Sequence, residues 1–252
     1  MGSMSNPNTA FSCVSWNIHR ARGNDGTVVA ARTQAVLCDE VWTPGVEAVV
    51  LQEADEETPP HRGLLDMSAI EARTGLLHLH AAPSRRWGAE SHGFLGVIFF
   101  LHPSFRVDDV ALVDLPGHCH RGAVVVDATR NGHGLRLIGT HLSLSQGLRV
   151  AQMRTLGQHL FRRSSRPTIL VGDLNEWRPW GGLALSRRVL GERFEGPALP
   201  TFPVRRPFIA LDRVLATAPA RVAGAYVLDG KGIRMASDHR PLKADIAIEG
   251  PS

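Results

Sequence analysis

Short apolar runs, each about as long as a buried strand and bounded by glycine, proline or polar clusters, recur along the chain. They cover residues 11–17, 46–53, 96–101, 123–128, 135–142, 168–173, 211–216 and 242–248. Between some of these runs, apolar positions recur at helical spacing, over 27–42, 64–74 and 146–162. The alternation of the two patterns predicts a mixed α/β fold.

The sequence shows no sign of a boundary between domains. No Gly/Ser-rich linker and no repeat of about 20 to 50 residues divides the sequence, so we expect a single domain over 11–249. Residues 1–10 are expected to be a tag and a disordered N-terminus, because Met1-Gly2-Ser3 resembles a cloning remnant. The proline-rich stretch 191–207 lacks periodicity and predicts a long surface loop, of the kind that often borders a binding site.

The composition is that of an ordinary globular protein, since 43% of the 252 residues are hydrophobic and 21% are charged. These values exclude a disordered, collagen-like or coiled-coil chain. The longest apolar run, 94–101, is far shorter than the roughly 20 residues that cross a bilayer, so no transmembrane span is expected. The N-terminus shows no secretory signal, and three cysteines suit a reducing compartment better than a disulfide framework. We therefore expect a cytoplasmic protein with no obligate protein partner.

Arginine accounts for 26 of the 28 basic residues, because only Lys231 and Lys243 are lysines. The planar guanidinium group suits phosphate oxygens. A genomic codon bias gives the same composition without any phosphate ligand, so charge alone leaves the partner open.

Several apolar runs close on a polar residue that is costly to bury unpaired. These endings are Asn17, Glu53, His141, Asp173 with Asn175, and Asp212. Polar groups at the ends of neighbouring strands converge on one cleft in many α/β proteins. Each residue taken alone is equally explained as a helix cap or turn residue, so it is the repetition that predicts a site.

Asp238 and His239 stand just before the last apolar run and extend this group. Together the candidates comprise carboxylates, amides and histidines, whose hard oxygen atoms suit Mg²⁺ or Mn²⁺. The chain has no Cys/His cluster at zinc spacing, which argues against structural Zn²⁺. The sequence therefore predicts a site for one of those two hard divalent ions.

Six strings carry a family resemblance along nearly the whole chain, from Phe11 to Ile248. They are Ser15-Trp16-Asn17-Ile18-His19, Leu51-Gln52-Glu53, Gly139-Thr140-His141-Leu142, Gly172-Asp173-Leu174-Asn175, Leu211-Asp212-Arg213-Val214 and Ser237-Asp238-His239. In this order and spacing they resemble the motif set of the endonuclease/exonuclease/phosphatase superfamily. The resemblance implies a four-layer α/β/β/α sandwich of two packed mixed β-sheets with helices outside, and divalent-metal-dependent phosphoester hydrolysis at one edge of the pair.

The resemblance also implies roles for the metal and phosphate ligands. Glu53 corresponds to the principal metal ligand, with Asn17 and Asp238 near the ion. Asn17 and Arg121 are expected to contact the substrate phosphate, although Arg121 is equally explained as an exposed arginine before a strand.

The remaining matched positions correspond to the catalytic groups. Asp173, supported by Asn175, would orient and deprotonate the attacking water. His239, held by Asp212, would contact the phosphate as a cation, because a neighbouring carboxylate favours the charged imidazole. His141 would support charge or protonate the leaving group.

Other ring side chains are expected to be less informative. His78 with His80, and His118 with His120, are spaced as metal-binding pairs on a strand, but with 12 histidines in the chain we expect surface or loop residues. Trp177 follows Asn175 closely and is expected, with Trp180, to pack beneath its loop rather than to stack on a base.

Three substrate classes remain open: nucleic acid, a phospholipid or sphingomyelin head group, and an inositol phosphate. We expect nucleic acid, because an arginine-rich surface favours a polyanion. A catalytically silent binding module of the same fold is the competing hypothesis, and the presence of all the matched site residues argues against it.

Overall fold

The computed structural model describes residues 10–248, in which eleven strands form two β-sheets. The strands are β1 (Ala10–Asn17), β2 (Val46–Gln52), β3 (Leu77–His78), β4 (Ile98–Leu101), β5 (Phe105–Leu115), β6 (Arg121–Arg130), β7 (His133–His141), β8 (Thr168–Asp173), β9 (Asp212–Ala216), β10 (Ala220–Val227) and β11 (Leu242–Ile248). The α-helices are α1 (Ala30–Val36), α2 (Met67–Thr74), α3 (Gln146–Phe161), α4 (Arg187–Leu190) and α5 (Lys231–Ala236).

Both sheets are mixed. The first has the order β10-β11-β1-β2-β4-β3, with β1 parallel to β2 and the other neighbours antiparallel. The second has the order β5-β6-β7-β8-β9, with only β7 and β8 parallel. The parallel pairs are buried on both faces, which explains their nearly continuous apolar runs.

The two sheets pack face to face through a core that includes Val50, Phe99, Val126 and Leu137. Gly139 makes this contact possible, because a Cβ atom there would lie 2.4 Å from the Phe99 ring. A second core lies beneath α1, α2 and α5 on the outer face of the first sheet, and a third lies beneath α3 and α4 on the outer face of the second. The predicted four-layer α/β/β/α sandwich is confirmed.

Some boundary and burial predictions need correction. Strand β1 begins at Ala10, one residue before the predicted domain start, while the rest of the predicted tag and residue 249 lie outside the described residues. The stretch 191–207 is irregular, but Thr201 and Val204 are buried, so this loop is not confined to the surface. No helix in residues 10–248 has the length and apolar character needed to cross a membrane.

The expectation for the first histidine pair is wrong. His78 and His80 are buried, because β3 pairs with β4 in the first sheet and the chain continues directly into a short helical turn at Leu79–Ala81. Burial lowers the pKa of each to about 4, which keeps both rings neutral.

Candidate active site

The register of the second sheet places three polar side chains side by side. The parallel pair β7 and β8 aligns His141 with Asp173, and the antiparallel pair β8 and β9 aligns Asp173 with Asp212. Neighbouring strands lie about 4.8 Å apart. Three apolar runs that end on polar residues therefore build one polar edge.

The first sheet contributes Asn17 and Glu53 to the same edge. Asn17 ends β1, and its Nδ2 atom donates to Asp173 Oδ2 at 3.0 Å and to Glu53 Oε1 at 3.3 Å, which joins the two sheets. Glu53 follows β2 with a φ of 55°, in the left-handed region. Side-chain-bearing residues adopt this conformation at a cost, and such residues cluster at functional sites.

Asp212 and His239 form a buried pair. Asp212 Oδ2 lies 2.8 Å from His239 Nδ1 and also accepts a hydrogen bond from the hydroxyl of Thr201. His239 Nε2 lies 3.8 Å from Asp173 Oδ2. The imidazole ring therefore stands between two carboxylates.

The backbone of His239 is fixed from the first sheet. Its amide donates to Ser237 Oγ at 3.1 Å, and that hydroxyl donates to the carbonyl of Asn17 at 2.7 Å. Trp16 Nε1 donates to the carbonyl of His239 at 3.2 Å. The serine of the Ser-Asp-His string therefore acts as a structural tie between β1 and the histidine.

The loop after β8 is held by polar contacts. The amide of Asn175 donates to Asp173 Oδ1 at 3.0 Å, and Asn175 Nδ2 donates to the carbonyl of Leu142 at 2.9 Å. Arg213, which is 1% exposed, donates to the carbonyls of Glu176 and Arg178 at 3.0 and 2.7 Å. Both oxygens of Asp173 are thus held in fixed positions, one by Asn17 and the other by this loop.

Two arginines border the cluster. Arg121 Nη1 lies 2.9 Å from His141 Nδ1, so the structure brings the predicted phosphate ligand to the site, and its Nε is buried without a partner among residues 10–248. Arg20 forms an ion pair with Glu53. Asp238 stands at the margin, where its carboxylate lies 3.5 Å from His19 Nδ1 and is one-third exposed.

The electrostatics of the cluster oppose negative charge on Asp173. Burial raises the pKa of Asp173 to about 6; the attraction of His239 lowers it by less than burial raises it, and the charge of Asp212 raises it further. For His239, burial favours the neutral ring, but the charges of Asp212 and Asp173 outweigh it and raise the pKa to about 10. Burial, and then the positive charges of Arg121 and His239, lower the pKa of His141 well below its usual value.

The donor atoms suit a hard divalent ion. Asp173, Asp212 and His239 each offer a ligand atom within 4.8 Å of the other two. Asp212 Oδ1 is buried and accepts no hydrogen bond from the described residues. His239 Nδ1 is already hydrogen-bonded to Asp212. The oxygens of Glu53, Asn17 and Asp173 are chemically suited to a hard ion, and each already accepts a hydrogen bond or an ion pair that an ion would share or displace.

Sequence reasoning missed two contributors to this site. Arg20 pairs with Glu53, and Thr201 donates to Asp212 from the long loop. Only the proline-rich composition of 191–207 gave a signal for Thr201. Nothing in the local pattern singles out Arg20, because a turn with left-handed backbone at His19, Arg20 and Ala21 brings it to Glu53.

Known proteins share this fold at low sequence identity. TDP2 of D. rerio, solved with single-strand DNA product, superposes with a TM-score of 0.67 at 16% identity, over 94% of this chain and 98% of that one. A functionally unknown conserved protein of Enterococcus faecalis V583 gives a TM-score of 0.72 at 19% identity, over 95% and 100%.

Sequence comparison identifies the family. The uncharacterized protein YbhP of Escherichia coli K12 is 29% identical over 122 residues, which are 46% of this chain, and the match spans only 48% of that relative. The model of the Endonuclease/Exonuclease/phosphatase family matches residues 14–239, which include every strand end of the site. The chain therefore belongs to the endonuclease/exonuclease/phosphatase family.

Proposed function

We propose that this protein is a hydrolase that uses Mg²⁺ or Mn²⁺ to cleave phosphodiester bonds in nucleic acid, acting in the cytoplasm. The observation that supports it best is that two buried carboxylates, Asp173 and Asp212, flank the single histidine His239, and that both oxygens of Asp173 are held by hydrogen bonds. Its three cysteines are free, which agrees with the expected reducing compartment.

Glu53, Asn17 and Asp238 would hold the metal ion. The donor set fits a cation, because the carboxylates of Glu53 and Asp173 lie close together and share one hydrogen-bond donor, Asn17 Nδ2. A divalent ion bound there would polarise the phosphate and stabilise charge on its oxygens. Arg20, which is paired with Glu53 in the structure, is the competing cation for that carboxylate.

Asp173 is the general base of the proposed reaction. Its carboxylate accepts a proton from water, the hydroxyl adds to phosphorus, and the bond to the leaving oxygen breaks as that oxygen takes a proton from solvent; Asp173 then returns its own proton to solvent. A carboxyl pKa raised by burial brings the base closer to its working pH. The amide of Asn175 and the side chain of Asn17 fix the direction of the carboxylate.

His239 and Arg121 are the cationic partners of the phosphate. Asp212 holds the His239 ring and stabilises its charge, so Nε2 can donate to a non-bridging oxygen. The low pKa of His141 favours a neutral ring, which would accept from Arg121 at Nδ1 and orient Asp173 through Nε2, 3.4 Å away. This assignment replaces the leaving-group role that the resemblance implied for His141.

Two observations favour nucleic acid as the substrate. One structural neighbour was solved with a single-strand DNA product. The chain also carries 26 arginines, which suit a polyanion. The phospholipid alternative has one observation in its favour, which is that Leu144, Trp177 and Trp180 are 80%, 55% and 73% exposed on the loops after β7 and β8. The expectation that the two tryptophans pack beneath their loop is therefore wrong.

The decisive experiment measures hydrolysis of bis-p-nitrophenyl phosphate with Mg²⁺, Mn²⁺ or EDTA, beside plasmid DNA and sphingomyelin or phosphatidylcholine vesicles. We expect metal-dependent turnover of the diester and of DNA, and a loss of at least about 100-fold in Glu53→Ala and His239→Ala. Glu195→Ala, which removes an exposed carboxylate outside the site, is the matched control.

The other outcomes are equally clear. Turnover that persists in EDTA, or that survives both site substitutions, contradicts the mechanism. Turnover of vesicles without turnover of DNA selects the lipid substrate.

A further inference from the structure

A cleft of about 200 Å³ opens beside Glu53, and we call it the ring cleft. Its walls include Arg20, Glu57, His61, Trp87, His120 and Arg121. We call the group of Asp173, Asp212, His239 and His141 the catalytic cluster. Arg121 joins it to the ring cleft, because it lines the ring cleft and its Nη1 contacts His141. A ligand whose phosphate lies at Glu53 would therefore extend directly into the ring cleft.

Three rings cluster on one side of this cleft. The centroid of Trp87 lies 5.5 Å from that of His120 and 6.5 Å from that of His61, and the two histidine rings are 6.3 Å apart. These distances fall in the range of interacting aromatic pairs. The rings therefore form one aromatic surface rather than three separate side chains.

The surface is anchored although it is accessible. Trp87 is 38% exposed, yet its ring packs edge-on against Phe94 at 5.9 Å, and its amide donates to the carbonyl of Gly93 at 2.9 Å. His61 Nδ1 lies 3.1 Å from the carbonyl of Glu56. A rigid aromatic surface loses little conformational entropy when a second ring stacks on it.

The charges of the ring cleft select the kind of group that fits. Its two cations are already engaged, because Arg20 pairs with Glu53 and Glu57 and Arg121 contacts His141. Asp55, Glu56 and Glu57 line the cleft together with the rings and oppose a second phosphate there. Carboxylates accept hydrogen bonds from the N–H groups of nucleobases. The volume is also below the roughly 300 Å³ of typical small-molecule pockets, which suits one planar group rather than a length of duplex.

We propose that the ring cleft binds one nucleobase next to the scissile phosphate, by stacking on Trp87 and His120. This inference rests on the proposed function and adds a determinant of its substrate: a diester with a base on one side of the phosphate is preferred over a diester without one. A base inserted here has to leave its stack, so single-stranded nucleic acid is the better substrate.

The test compares diesters that share a leaving group. The substrates are methyl p-nitrophenyl phosphate and the 5′- and 3′-(p-nitrophenyl phosphate) esters of thymidine, each assayed with Mn²⁺. We expect Trp87→Ala to lower kcat/KM about 10-fold on at least one thymidine ester, as loss of base stacking does, and less than about twofold on the methyl ester. His120→Ala should act in the same direction, and Trp87→Phe should retain most of the parent rate.

Phe161→Ala is the matched control, because Phe161 is 91% exposed at the far end of α3. An equal loss on all three esters would mean that Trp87 only supports the fold, and unchanged thymidine rates would mean that no base stacks there. Either result overturns the inference. If the parent hydrolyses the methyl ester as efficiently as the thymidine esters, only this inference fails; if it hydrolyses none of them, the proposed function fails as well.

Discussion

Two buried charged clusters involve strands of the second sheet, one on β6 and β7 and the other at the ends of β7, β8 and β9, and their charges are balanced in opposite ways. In the first, which we call the ion-pair cluster, Arg136 donates to both oxygens of Asp127, at 2.6 and 3.2 Å. Arg163 Nη2 adds a third hydrogen bond, to Asp127 Oδ2 at 2.8 Å. In the catalytic cluster, Asp173 has Asn17 and Asn175 as hydrogen-bond donors and Asp212 as a close neighbour.

The carboxyl groups of the two clusters respond accordingly. Burial opposes the charge of Asp127, but hydrogen bonds from Arg136 and Arg163 outweigh it and lower its pKa. Burial raises the pKa of Asp173 to about 6, because no arginine among residues 10–248 pairs with it and the single cation His239 is shared with Asp212. The carboxylate is thus neutralised by arginines in one cluster, and in the other it shares one histidine with a second carboxylate.

This difference separates a structural ion pair from a functional site. Both clusters are charged and buried, so burial of charge alone identifies neither. Two buried carboxylates with fixed oxygens and a single histidine cation between them are costly to maintain, and the cost is justified where a metal ion or a proton is to be bound.

Asp173→Asn gives the largest expected effect, on activity. Loss of the general base should lower kcat for bis-p-nitrophenyl phosphate about 1,000-fold. The variant should unfold at the temperature of the parent or above it in EDTA at pH 8, because the substitution removes a negative charge that burial disfavours. Steady-state rates and thermal unfolding check the two halves, and a rate equal to that of the parent would show that Asp173 is not the base.

How far the sequence predicts the fold depends on which strands are considered. The apolar runs 168–173 and 242–248 coincide with β8 and β11, since both strands are buried among neighbours on two sides. β5 and β10 were not predicted, because both are edge strands with many exposed or half-buried positions and neither forms a continuous apolar run bounded by turn residues. A search for continuous apolar runs finds strands that are buried along their length, which include the edge strand β9, and passes over the partly exposed edge strands β5 and β10.

The residues of the candidate site also differ in how well the sequence predicts them. Residues at the ends of central strands, such as His141 and Asp173, were predicted because the strand directs them to the shared edge. Arg20 and Thr201 were not, since irregular backbone brings them to Glu53 and Asp212. The Asp127–Arg136 pair was also missed, because an acidic and a basic residue nine positions apart carry no local signal of pairing.

Arg136→Met is expected to have the opposite pattern to Asp173→Asn, with a loss of stability and little change in activity. Among the described residues it leaves buried Asp127 with Arg163 as its one remaining cation, so the free energy of unfolding should fall by about 3 kcal/mol. The kcat of the folded enzyme should stay within about twofold of the parent. Chemical denaturation at pH 7 measures the loss.

The double variant Asp127→Leu, Arg136→Met is the control for this substitution. A well-packed apolar pair can replace a buried ion pair at little cost, so most of the lost stability should return. If the double variant is less stable than Arg136→Met, the two residues do not act as a pair.

The smallest expected effect is a pH dependence that only the catalytic cluster supplies. The folded pKa of His239, about 10, lies above its usual 6.5, so the stability it contributes is fully present below pH 6.5 and is lost as the pH rises through 10. The contribution of Asp127 has the opposite sign, since its lowered pKa means that stability is lost only as the pH falls below its usual 3.8. Denaturation in EDTA between pH 7 and 8.5 should therefore show a decline of about 1 to 2 kcal/mol. His239→Gln should abolish the decline and Arg136→Met should keep it; a decline that persists in His239→Gln would mean that another group carries the charge we assign to this histidine.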